Sequence, residues 1–152
     1  MKTFTQIAHA RRSRQRGVAA VEFALVAALF FTLLIGIMEM GRVLFYWNSA
    51  AEATRLGARI AVVCDLNDAD IKARMQTMLS ILQPVNINIG YEPAGCTVDS
   101  CQSVTVSILP GVSVATFIPY VPMTLTLPPF STTLPRESMR STVGGIANPV
   151  CS

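Results

Sequence analysis

Apolar positions follow three regimes along this chain. Residues 18–38 are apolar almost without interruption, residues 46–63 are apolar at every third or fourth position, and later stretches alternate. The first run has 21 residues, about 31 Å as helix against a hydrocarbon core of about 30 Å. It predicts a membrane-spanning helix, in which Thr32 and Gly36 are tolerated. No proline precedes Pro84, so nothing stops the helix at the membrane surface. Beyond it, Tyr46, Ala50, Ala53, Leu56, Ile60 and Val63 mark one helix face, while Glu52, Arg55 and Arg59 lie off it. Tyr46 and Trp47 suit an interfacial aromatic belt, and Glu39 and Arg42, one turn apart, can pair there.

A second helix is expected from Asp68, a capping residue, to Pro84. Asp70 lies in its first turn, and Ile71, Met75, Met78, Leu79 and Leu82 form its buried stripe. Residues 85–91, 103–109 and 123–127 alternate as strands do, and Gly and Pro punctuate them. The expected class is therefore α+β: a long amino-terminal transmembrane and amphipathic helix leading into a small exported domain. That domain holds the second helix and a short antiparallel sheet of three or four strands. The division reads as a basic leader at 1–17, a span at 18–38, an exported continuation of the helix at 39–63, and the α+β domain at 64–152. The last residues, 144–152, show no pattern and are expected to form a disordered tail.

Charge changes the picture at one point. Lys2, Arg11, Arg12, Arg14 and Arg16 precede Val18 without a single acid among them. Without those five, seven basic residues face nine acidic ones. The net +3 of the chain is thus a local signal, and basic residues beside a span stay cytoplasmic. The amino end is expected inside and residues 40–152 outside. A nucleic-acid role for the cluster is disfavoured, because it abuts the span and no basic surface recurs. A secretory signal is disfavoured too, since the run is too long and no small-x-small site follows it closely.

Cys64, Cys96, Cys101 and Cys151 all fall on the expected exported side, where disulfides persist. Of three possible pairings, Cys96–Cys101 with Cys64–Cys151 is favoured. A four-cysteine zinc site is the alternative, weakened by the lack of paired C-x-x-C spacing. The lone His9 lies in the leader, so no thiol has a catalytic partner on its own side. Asp65, Asp68 and Asp70 do not fit an EF-hand pattern, and helix capping accounts for them more simply. No catalytic residue, metal site or cofactor is expected.

The residue in the span that demands explanation is Glu22, which costs roughly 2.5–3.5 kcal/mol if carried to mid-bilayer. A cut after Gly17 would give Val18 a charged amine with which Glu22 of a neighbouring copy could pair. Residues 13–63, from the basic leader ending in Gly17 through Glu22 and Phe23 to the Gly41–Arg42 pair and the E-A-T-R-x-G-A-R stretch at 52–59, closely resemble the amino-terminal signature of TadE-like pseudopilins. These are minor components of the tight-adherence (Flp-type) pilus system. The resemblance implies cleavage by a prepilin peptidase between Gly17 and Val18, with Glu22 as the fifth mature residue. It also implies a single-pass protein of a bacterial inner membrane whose partners are that peptidase, the major pilin and other pseudopilins, the assembly platform and membrane lipid. The rival expectation is an uncleaved single-pass scaffold or binding protein of the envelope.

Overall fold

The computed structural model describes residues 3–118 and 122–151, with side chains from Gly17 onward. The expectations for Lys2, His9 and the leader arginines lie outside the described side chains. Helix α1 runs Thr3–Ala61, α2 runs Ala69–Met78, and a 3-10 turn occupies Pro84–Asn86. The strands are β1 Ile87–Glu92, β2 Ser103–Ile108, β3 Ser113–Ala115, β4 Thr124–Thr126, β5 Ser131–Pro135, β6 Thr142–Val143 and β7 Ile146–Ala147. The class is α+β. The chain divides into two compact units, Met1–Met40 and Gly41–Ser152.

The first unit is helix alone. Its side chains over 18–38 are exposed nearly throughout, and α1 is long and apolar enough to cross a membrane.

In the second unit, β1, β2 and β5 form an antiparallel sheet in the order β1-β2-β5. Val106 of the central strand lies opposite Ile89 on one side and Thr132 on the other. Strand alternation sends Val104, Val106 and Ile108 into the core, together with Ile87 of β1. Ile71 and Met75 of α2 complete that core with Ala50, Ala53, Ala58, Ile60 and Ala61 of α1. The buried face of α1 is thus centred on small residues. Tyr46, Leu56 and Val63, expected in the stripe, sit at its partly buried margin.

Four sequence expectations change. Helix α2 ends at Met78 rather than running to Pro84, so Met78 is exposed while Leu79 and Leu82 still reach the core through a turn. Val85 belongs to the 3-10 turn, which Pro84 opens and the Asn86 side chain closes by accepting from the Gln83 N–H at 3.1 Å. Among the described residues, seven short strands in three small sheets replace a single sheet of three or four. The segment expected to be a disordered tail contains β7, which pairs with β6 just before it in a hairpin. Its Gly144 and Gly145 both have positive φ, which suits glycine at the centre of a tight hairpin turn.

Candidate assembly segment and its support

Gly17, Val18, Glu22 and Phe23 lie together on α1 and are all exposed, Val18 by 61% and Phe23 by 74%. A Cβ placed on Gly17 would meet nothing within 4 Å. Val18 and Glu22 are four residues apart, so the helix puts them on one face, one turn from each other. Ala24 and Ala28 are likewise four residues apart and put small side chains on another part of the helix surface. An exposed apolar helix face with small residues lets a neighbouring helix approach closely in lipid.

In the second unit α1 is held by contacts that only small residues permit. Ala50, Ala53, Thr54, Gly57, Ala58 and Ala61 recur at three and four residues and are buried. A Cβ on Gly57 would stand 2.5 Å from the Met75 Sδ and 3.1 Å from a methyl of Val106. Gly57 is therefore where α1 meets both α2 and β2. The Thr54 hydroxyl bonds the carbonyl of Ala51 at 2.8 Å and the hydroxyl of Thr132 at 3.0 Å, so the buried polar atom is satisfied. Glu52 and Arg55 pair on the exposed side at 2.5 Å.

The carboxyl end of α1 is closed by residues 137–141. The Val62 carbonyl accepts from the N–H of Glu137 and of Met139, each at 3.1 Å, and the Val63 carbonyl accepts from the Arg140 N–H at 2.9 Å. These bonds supply partners for carbonyls that a helix end leaves unpaired. Met139 achieves this with φ of 46° and a fully buried side chain. The Ser141 hydroxyl donates to Asp68 at 2.9 Å, while the other oxygen of Asp68 accepts from the Asp70 N–H and caps α2. Cys64 and Cys151 form one disulfide, with Cα atoms 5.6 Å apart, and Cys96 and Cys101 the other at 4.9 Å. This is the pairing favoured from the sequence, and it leaves no free thiol among the described residues.

Residues 17–59 match the family model for TadE-like proteins. The amino-terminal segment is thus similar to TadE-like proteins. No curated protein and no solved structure matches the chain significantly. The matched segment begins at Gly17 and ends at Arg59, just short of the end of α1, so it contains the apolar run, Glu22 and Gly57 but not Met75 and Val106, against which Gly57 packs. It excludes the strands and all four cysteines. Of the residues in the TadE-like segment that matter structurally, Thr54 and Gly57 were not singled out by sequence reasoning. Both fall within the E-A-T-R-x-G-A-R stretch, but its small residues at helical spacing carried no assigned contact.

Proposed function

We propose that this protein is a structural, non-catalytic subunit of a tight-adherence pilus system, a pseudopilin that takes part in fibre assembly at a bacterial inner membrane. The observation that carries the reading is the TadE-like match starting at Gly17, with an exposed carboxylate five residues later in an otherwise apolar helix face. A prepilin peptidase cuts between Gly17 and Val18, and Val18 then carries the positive charge of a new amino terminus. Glu22 of an adjacent copy pairs with that amine, and low dielectric makes the attraction far stronger than in water. Within one chain Glu22 also lies near the positive end of the shortened helix, which favours a carboxylate there. Residues 23–38 supply the apolar contact with the major pilin and other pseudopilins, and unit 41–152 faces the periplasm.

One observation favours the rival, an uncleaved single-pass scaffold: α1 continues through Gly17 without a break. Cleavage therefore requires the helix to open locally at the junction. Intact-mass measurement of the protein from cells with an active peptidase decides between them. A chain starting at Val18 is expected, and a full-length mass in those cells would leave the scaffold.

A further inference from the structure

Two arginines join the turn between Cys96 and Cys101 to the segment that closes α1. The Arg136 guanidinium donates to the Val98 carbonyl at 2.5 Å, and the Arg140 guanidinium pairs with Asp99 at 2.8 Å. The Arg136 N–H also donates to the carbonyl of Gln102, one residue past the disulfide, at 2.9 Å. The segment these arginines bracket makes four bonds to the carbonyls of Val62 and Val63. Three come from the N–H groups of Glu137, Met139 and Arg140, and the fourth from the Ser138 hydroxyl. Val98 and Asp99, the acceptors on the turn, both lie inside the ring that Cys96 and Cys101 close. The short disulfide therefore fixes the spacing of two anchors from which the α1 closure hangs.

The two disulfides differ in access. Cys64 is fully buried and Cys151 is 8% exposed. Cys101 is buried as well, but Cys96 is half-buried on a turn whose Gly95 and Thr97 are exposed. Thiol–disulfide exchange begins with attack on one sulfur, so access to Cys96 is enough to start it.

We propose that Cys96–Cys101 is a redox-sensitive latch on the carboxyl end of α1, opened by a small dithiol while Cys64–Cys151 stays closed. A thiolate of the dithiol attacks the Cys96 sulfur. The Cys96–Cys101 bond breaks, and its electron pair leaves on Cys101, which takes up a proton. The second thiol of the reagent then displaces Cys96, which also ends as a thiol, and the reagent departs as a cyclic disulfide oxidised by two electrons. Without the cross-link, residues 97–100 no longer hold Val98 and Asp99 at a fixed spacing for Arg136 and Arg140. An exposed ion pair supplies little attraction by itself, so the latch depends on that pre-set geometry. Residues 137–140 then open from Val62 and Val63 more often, while Cys64–Cys151 keeps the chain tethered beyond them.

The test uses the oxidised full chain in detergent micelles, treated with dithiothreitol at graded concentrations. Alkylation with peptide mass mapping identifies the reduced pair, and hydrogen exchange reads the amides of residues 137–140. Cys96 and Cys101 are expected to alkylate first, with Cys64 and Cys151 still joined. In that state exchange at 137–140 is expected to rise about tenfold, while the amides of Val106 and Ile108 in β2 stay unchanged. Arg136→Gln with Arg140→Gln, left oxidised, is expected to give the same rise. Reducing that double variant is expected to add little, because the disulfide and the arginines act through one linkage. Exchange at 137–140 that does not respond to reduction of the short bond would overturn the proposal. Reduction of Cys64–Cys151 first would overturn it too, as would rises from reduction and substitution that multiply as independent effects.

Discussion

Gly57 and Tyr91 show how single side chains set the stability of the folded unit. At Gly57 the helix gives up about 1 kcal/mol of propensity relative to alanine so that α1 can touch Met75 and Val106. Gly57→Val adds a branched side chain where even a Cβ is crowded, and overpacking of this kind costs typically about 1–3 kcal/mol. A matching fall in the denaturation free energy, with membrane insertion unchanged, is the expected result. At Tyr91, burial pushes the phenol above its ordinary value of 10.0; the Asn67 N–H, donating to the phenol oxygen at 2.8 Å, pulls the other way, and the Asp68 carboxylate adds to the rise. The folded state thus holds this proton more tightly than the unfolded chain does. Its contribution is complete below about pH 10 and is lost as pH climbs through the higher folded value. Urea midpoints of Tyr91→Phe, compared with the unaltered chain across that alkaline window, should show a shallower decline.

The elements differ in how far their sequences specify them. The two regimes of α1 were legible because hydrophobic period is a local property: a continuous run to Met38, then spacings of three and four. The width of its buried face was not, since Thr54, Gly57 and Ala58 are weakly apolar or polar and are buried only through tertiary packing, with β5 against Thr54 and with α2 and β2 against Gly57. Strand β5 was likewise hidden. It is an edge strand of threonines, with Pro135 at its end where no further ladder bond is needed, and Thr133 meets Thr105 on the outer face at 2.8 Å. Glu22 was legible for the opposite reason, as a charge in an apolar run contradicts its surroundings. That contradiction gives the test at this scale. Glu22→Val removes the charge and keeps an apolar helix, so membrane insertion is expected to persist while co-purification with the major pilin is lost. Normal recovery of that variant with the pilin would argue against charge pairing.

For the molecule as a whole, the folded unit is closed by covalent links chosen from spacing alone. A chain-entropy estimate assigns about 4–5 kcal/mol to the Cys64–Cys151 closure, whose ends are 87 residues apart, and about 2 kcal/mol to Cys96–Cys101. Cys64→Ser with Cys151→Ser should therefore lower stability by about twice as much as Cys96→Ser with Cys101→Ser, measured by denaturant titration. The order of the two losses is the sharper expectation, because absolute values depend on residual structure in the unfolded chain.

Cys64 stands three residues beyond the last residue of α1, and Cys151 stands four residues beyond the last residue of β7. Tension applied to the chain at Cys151 consequently passes through two sulfur atoms straight into the helix. The sheet and α2 lie on the bypassed loop and carry none of the load. A folded unit wired in this way can be pulled hard at one end without unravelling its own strands.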